Sequence, residues 1–198
     1  MGYTTQYIRD AKEILDSLDQ RELEQMVDLL VDLRARGGRL FFLGSGGGAG
    51  HASHAVCDFR KIAKIEAYTP SDNVSELTAR VNDDGWESAY VNWLKGSHLN
   101  NNDMVFVFSV GGGDAERGIS ANIVRGLQLA EEVGANIVGV VGRDGGYTYQ
   151  VADACVLIPV VNGETVTAHT EAFQAIVWHF LVSHPRLRAL EMKWESVT

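Results

Sequence analysis

The chain has 198 residues, with 17 Lys+Arg against 26 Asp+Glu for a formal net charge of −9, and 45% of its residues are hydrophobic. That length suits one domain with a full-sized core, and the apolar fraction excludes a disordered chain. The acidic balance argues against a general nucleic-acid binder, which would present a basic face, but not against a small anionic substrate held by local donors.

The first residues, Met1-Gly2-Tyr3-Thr4-Thr5-Gln6, lack the basic and apolar regions of a signal peptide. No apolar run approaches the ~18–20 residues of a membrane span. A cytoplasmic protein with neither a membrane nor a nucleic-acid partner is therefore the expectation. Over residues 5–36 apolar side chains recur at spacings of three and four: Ile8, Ile14, Leu15, Leu18, then Leu23, Met26, Val27, Leu30 and Leu33. This predicts an amphipathic helical pair free to pack between subunits, with Asp19 as the N-cap of the second helix and Gly37-Gly38 as its stop. Residues 39–43 form a short apolar run ending in glycine, as buried parallel strands do. Similar runs follow at 103–108, 136–141 and 154–159, with a weaker one at 65–68. Helical patterns lie near 51–62, 72–81, 86–95, 120–133 and 168–183. Trp86, Tyr90, Trp93 and Leu94 keep helical spacing and read as core or subunit contact, while Trp178 and Phe180 read as packing the last helix on the sheet. Pro185 ends that helix, and the tail (Arg186, Arg188, Lys193, Glu195) reads as a solvated segment with a few apolar anchors. Two cysteines make no disulfide framework, and Cys57 reads as a small buried residue. Strands alternating with helices imply one doubly wound α/β domain over 1–198: helices over 1–37, a core over 38–184 and a tail over 185–198. In such sheets ligands sit at the carboxyl ends of the strands, near a topological switch point.

The chain holds 21 glycines, and clusters of them fall at those strand ends. Gly44-Ser-Gly-Gly-Gly-Ala-Gly50 follows the first strand and precedes a helix, where backbone N–H groups and the helix N-terminus can receive an anion. Ser109-Val-Gly-Gly-Gly-Asp114 follows the strand at 103–108. The alternative for both is a pair of tight turns with no ligand. Gly44, Gly46 and Ala49 also satisfy the dinucleotide pattern G-x-G-x-x-A, with Glu66 about 20 residues on. A third constellation is His54 with Asp58, at i and i+4 on one helical face, as metal-ligand pairs are spaced; His51 and Cys57 lie nearby. A fourth is Glu171 and His179 in the last helix, with His169 upstream. In a regular helix eight residues rise about 12 Å, so Glu171 and His179 would share one metal only through an irregular first turn or through different subunits.

Taken together, Gly44-Ser-Gly-Gly-Gly48, Ala79-Arg-Val-Asn-Asp-Asp-Gly85, Ser120-Ala-Asn-Ile-Val124 and Glu171…His179 resemble, in order, the SIS (sugar isomerase) domain family over roughly residues 5–183. Within it the resemblance is to isomerases that interconvert sedoheptulose 7-phosphate and D-glycero-D-manno-heptose 7-phosphate on the way to nucleotide-activated heptose. It implies a homotetramer with active sites at subunit contacts. It also implies Asp58 and His179 as catalytic carboxylate and histidine, and about one zinc per subunit held by His54, Asp58, Glu171 and His179. The sugar phosphate is expected on Ser45, Gly46, Gly47, Gly48, Asp83, Ser109, Gly111, Gly112, Ser120 and Glu171, with the phosphate between Ser109 and Ser120. The chemistry is coherent: a ketose–aldose shift needs a base beside the carbonyl and an acid for the oxygens, and a Lewis acid stabilises the enediolate.

The chain departs from the family in three places. Asp58 stands for a glutamate, and Glu171 for a glutamine. The run of serines and threonine in the phosphate loop becomes Val110-Gly-Gly-Gly113, with an insertion carrying Asp114 and Glu116 before Ser120. Arg60, Lys61 or Arg117 are the cations the sequence offers in compensation. Three other functions stay open: a non-catalytic module that binds a sugar phosphate, an isomerase of another sugar phosphate, and a dinucleotide binder.

Overall fold

A computed structural model describes residues 2–193 and residue 195. The last part of the expected tail, Trp194 and 196–198, lies outside the described residues. The helical pair is α1 (Tyr3–Asp16) and α2 (Gln20–Ala35), and Asp19 caps α2 by accepting from the Arg21 amide. Then come β1 (Leu40–Gly44), α3 (Gly47–Asp58) closed by a single π turn (Phe59–Ala63), and a two-residue β2 (Ala67–Tyr68). A 3-10 turn (Pro70–Asp72), α4 (Val74–Asp84), α5 (Trp86–Gly96), β3 (Met104–Ser109) and α6 (Ala121–Val133) follow. The chain ends in β4 (Asn136–Val141), α7 (Gly146–Val151), β5 (Ala154–Leu157) and α8 (Val166–Ser183).

The five strands are parallel in the order β2-β1-β3-β4-β5, in register from Leu40 beside Met104 to Val141 beside Leu157. Sequence order reverses between β1 and β3, which opens a crevice at their carboxyl ends. Because side chains alternate along a strand, each one feeds two cores. Leu40, Phe42, Phe106, Phe108 and Val140 pack under α2, α3 and α8. Phe41, Leu43, Val105, Val107 and Ile137 pack under α5 and α6. This is the expected doubly wound architecture with helices on both faces.

Two local features, α7 and Cys57, differ from the sequence reading, and two others leave apolar side chains exposed where that reading allowed a subunit contact. α7 has no apolar periodicity, and its first-turn amides are satisfied from far away: the Tyr147 and Thr148 N–H groups donate to the Gly113 and Gly112 carbonyls at 2.8 and 2.9 Å. In α1 the apolar stripe is split, with Ile14 buried but Ile8 and Leu15 half exposed. Cys57 is exposed rather than buried, because it lies on the outer side of α3. Of the tryptophan helix, Tyr90, Trp93 and Leu94 are core, but Trp86 is 45% exposed and meets Tyr90 edge-on. The tail is anchored as far as it is described. Leu187 is buried, and the Ala189 and Leu190 amides donate to the Ile62 carbonyl.

Two polar contacts hold the amino end and one edge of the sheet. Asp103 is 1% exposed and pairs with Arg39 at 2.7 Å, and it also accepts from the Arg39 and Asn100 amides. At the β5 edge Glu22 of α2 accepts from the Cys155 amide at 3.0 Å, which covers an edge that would otherwise pair with another strand. Burial first, and then the Glu22 charge, push the Cys155 thiol up to about 12. Arg39→Ala strands a buried carboxylate and is expected to cost about 3 kcal/mol, read as a lower urea midpoint at unchanged slope. Cys155 is expected to resist alkylation at pH 8 in the folded protein and to react on denaturation.

Candidate active site

The crevice holds a cavity of about 1100 Å³ at the carboxyl ends of β1, β3 and β4. Its walls include Ser45 and Gly48 from the first glycine loop, Ser109, Gly111 and Ser120 from the second, and Gln174 from α8. The first loop lies tight on the sheet: a Cβ on Gly48 would stand 2.4 Å from the Phe108 carbonyl oxygen, and one on Gly44 would stand 2.4 Å from Gly48. Only glycine lets α3 start there. Asn122 Nδ2 donates to Ser45 Oγ at 3.2 Å, and the buried Tyr90 hydroxyl donates to the Gly44 carbonyl at 2.5 Å, fixing the loop against α5 and α6.

The second loop interlocks with a third glycine turn, Gly142-Arg143-Asp144-Gly145-Gly146. A Cβ on Gly112 would stand 1.8 Å from the Gly145 carbonyl oxygen, and one on Gly146 would stand 2.3 Å from those of Gly111 and Gly113. The Gly112 amide donates to Ser109 Oγ at 3.0 Å. The inserted residues form a small hairpin closed by reciprocal Asp114–Ile119 backbone bonds. Asp114 Oδ1 accepts from the Glu116 and Arg117 amides at 3.0 and 2.8 Å, and Arg117 pairs with Asp114 at 3.6 Å. Much of the glycine in this loop therefore serves close backbone packing, the plainer of the two readings.

Along α3, away from the cavity, His54 and Asp58 meet His179 of α8, with donor atoms all within 4.8 Å of one another. His54 Nε2 lies 3.8 Å from Asp58 Oδ2, and the His54 and His179 rings are 5.6 Å apart. The buried Trp178 flanks both rings, at 4.6 Å from His54 and 3.4 Å from His179. His179 Nδ1 lies 2.8 Å from the Ala175 carbonyl, which can only accept. The proton therefore sits on Nδ1, and Nε2 is left with its lone pair. Two imidazoles and a carboxylate at this spacing suit a zinc ion with three protein ligands and an open fourth position, and the Ala175 bond is the outer contact such a histidine needs.

Glu171 is not part of this group. It sits inside the regular helix two turns before His179, with its carboxylate against Gly47, where a Cβ would stand 2.4 Å away. That places it at the α3 N-terminus, whose partial positive charge favours a carboxylate. Asp83 is exposed on α4, accepts from Asn82 at 2.8 Å and does not line the cavity; neither do Gly46 and Gly47. Arg60 turns away to the Ala67 carbonyl and the Tyr68 ring, and Lys61 is exposed outside the cavity, so of the three expected cations only Arg117 lines it. Glu66 precedes β2 and its carbonyl pairs with Leu40 at the amino end of the sheet. It stands opposite Gly44, which removes the geometry that a dinucleotide ribose requires. Two further residues stand out beside these. Gln174 is fully buried beside the cavity with an unpartnered Oε1. His51, half-buried one turn along α3, is held below the usual histidine range by burial, against the opposing pull of Glu171.

That depression fixes a sign. Below pH ~6.5 the unfolded chain protonates His51 while the folded chain resists, so the unfolded state binds more protons and stability falls as the pH is lowered. His51→Gln is expected to flatten this part of the stability–pH curve between pH 7 and 5, measured by urea unfolding with a chelator present.

The comparisons with known proteins fit this geometry. Residues 6–142 match the family model described as the SIS domain. The lincomycin biosynthesis protein LmbN of Streptomyces lincolnensis is 32% identical over 167 residues, 79% of this chain, which spans only 59% of that relative. A phosphoheptose isomerase of Helicobacter pylori is 29% identical over 75% of this chain and 76% of its own. The structure of phosphoheptose isomerase GmhA from Neisseria gonorrhoeae superposes with a TM-score of 0.77 at 23% identity, covering 91% of this chain and 93% of the other. No helix among the described residues is long and apolar enough to cross a membrane. The chain belongs to the SIS domain family.

Proposed function

We propose that the chain is a sugar-phosphate isomerase that converts sedoheptulose 7-phosphate to D-glycero-D-manno-heptose 7-phosphate through an enediol, in the cytoplasmic supply of nucleotide-activated heptose. The observation that carries this reading is the convergence of Asp58 and His179 from two helices on the side of the sheet whose helix α3 begins at the cavity. Gly48 at the cavity wall lies six positions before His54 and ten before Asp58, rises of about 9 and 15 Å along α3, and the Asp58 carboxylate stands 3.8 Å from His54 Nε2. The shorter rise is the scale of an open-chain sugar phosphate, with the phosphate end in the cavity beside Ser45, Ser109 and Ser120 and the carbonyl end at the triad.

The proton inventory closes on two side chains. The Asp58 carboxylate takes a proton from C1 of the ketose, giving the enediolate. The same carboxyl group returns its proton to C2, and the O1 proton leaves as the aldehyde forms. His179 Nε2, which the Ala175 bond leaves with a lone pair, takes the O1 proton and passes it to the C2 oxygen, so no proton is drawn from outside. His54, Asp58 and His179 would hold a zinc ion, which when bound would take the His179 Nε2 lone pair and supply Lewis acidity toward the two sugar oxygens in place of that proton relay. Glu171 stays at the α3 N-terminus beside Gly47, outside the cavity lining. His54 is 60% exposed, so the triad is not closed off by its own chain, and a homotetramer would complete the site with a neighbouring subunit. The same exposure favours, as a second reading, a module that binds the sugar phosphate without turning it over.

Incubation of sedoheptulose 7-phosphate with the protein in D₂O, followed by NMR, is expected to give the aldose with deuterium at C2. Asp58→Asn and His179→Ala are each expected to lower the rate at least about a hundredfold. Metal analysis should find about one zinc per chain, lost in His54→Ala. A sugar phosphate that raises the melting temperature without being converted would select the binding module instead.

A further inference from the structure

The cavity lacks the hydroxyl-rich anion loop that its family position calls for, and the amides that could replace hydroxyls are largely engaged. The Gly112 amide is bound to Ser109 Oγ, those of Asp114 and Ile119 to each other's carbonyls, and those of Glu116 and Arg117 to the Asp114 carboxylate. A phosphate at this end of the cavity therefore needs a cation. Among the described residues two guanidinium groups line the cavity, Arg117 and Arg143. Arg117 is already paired with Asp114, and its side chain is 79% exposed. Arg143 has no ion-pair partner among the described residues. Its stem crosses the second glycine loop, with Cδ 3.7 Å from where a Gly111 Cβ would be.

The backbone points the same way. Arg143 stands at φ +54°, in a turn where Gly145 and Gly146 also have positive φ. A residue with a Cβ is disfavoured there by roughly 1–2 kcal/mol relative to the right-handed region, and glycine is not. Strained positions of this kind concentrate at ligand sites, and here the conformation is what sends the side chain back over Gly111. The wall also carries Asp114, Glu116 and Asp144. Asp114 is already satisfied, and Asp144 accepts from the Gly146 amide at 3.2 Å, so neither needs Arg143 as a partner.

We propose that Arg143, on the turn between β4 and α7, is the positioning residue that holds the substrate's phosphate, in place of hydroxyls between Ser109 and Ser120. The inference rests on the reading of the cavity as a sugar-phosphate site. A guanidinium reaches two phosphate oxygens at once, which an ammonium cannot. The clamp thus fixes orientation as well as charge, setting the distance from the phosphate to the sugar carbonyl.

The test is calorimetric titration of inorganic phosphate into the full chain at fixed ionic strength, alongside steady-state kinetics with sedoheptulose 7-phosphate. Arg143→Ala is expected to weaken phosphate binding about tenfold or more, Arg143→Lys to recover part of the loss, and Arg117→Ala to cost only a few fold. In kinetics Arg143→Ala is expected to raise KM more than it lowers kcat. Arg143→Gly suits the backbone conformation and is expected to melt as the parent does, so lost affinity in that variant is not lost folding. Phosphate affinity and KM unchanged in both Arg143→Ala and Arg143→Gly would overturn the proposal, as would no phosphate binding by the parent protein. Phosphate binding through Arg143 without sugar turnover would uphold the clamp and remove the isomerase. Turnover with Arg143 irrelevant to both readouts would do the reverse.

Discussion

Helix α3 begins closer to the sheet than any side chain permits, and the rest of the site depends on that approach. Gly44 and Gly48 lie against each other and against the Phe108 carbonyl, so the start of α3 is seated directly on the carboxyl ends of β1 and β3. The reversal of strand order opens a crevice at this point, and the glycine seam keeps it open to solvent instead of filling it with side chains. Tyr90 and Asn122 then pin the loop from the other face of the sheet. The second and third glycine turns lock to one another in the same manner, through the Gly112 and Gly113 carbonyls at the start of α7. The floor of the cavity is thus glycine backbone, and its side chains come from the surrounding turns and from α7 and α8.

From that seam the polar groups run outward along two helices. Glu171 reaches across α8 to the first turn of α3, His51 lies one turn further on, and His54, Asp58 and His179 gather beyond it. The order suits a ligand with an anion at one end and reactive carbon at the other. It also separates two tasks that one cluster would confuse. Carboxylates near the cavity would repel a phosphate, and two of the three on its wall are held locally: Asp114 by two amides and Arg117, and Asp144 by the Gly146 amide.

The fold was largely legible because its signals are local. The apolar runs ending in glycine placed the four longer strands within a residue or two, and the spacings of three and four placed the longer helices. The i, i+4 pairing of His54 and Asp58 was equally local, and their meeting with His179 needed only two helices side by side. What escaped was nonlocal. α7 is held by carbonyls more than thirty positions away, so no periodicity announced it. The exposure of Cys57 is not legible either, because residue type alone does not say which side of α3 faces out. Only the family resemblance joins Glu171 to His179 at one metal; the regular helix separates them by two turns, as the spacing warns, and Gly47 offers the carboxylate a berth that no spacing rule describes. Arg143 lay unnoticed between glycines, since its relevance depends on a backbone angle and on a turn folding back over Gly111.

The most direct test of this arrangement is a crystal structure of the protein with sedoheptulose 7-phosphate or an unreactive open-chain analogue bound. The account expects the phosphate in the cavity between Ser45 and Ser120, and the C1–C2 end within hydrogen-bond reach of Asp58 and His179 Nε2. A sugar phosphate seated elsewhere on the chain, or one lying in the cavity with its carbonyl end turned away from the triad, would contradict it.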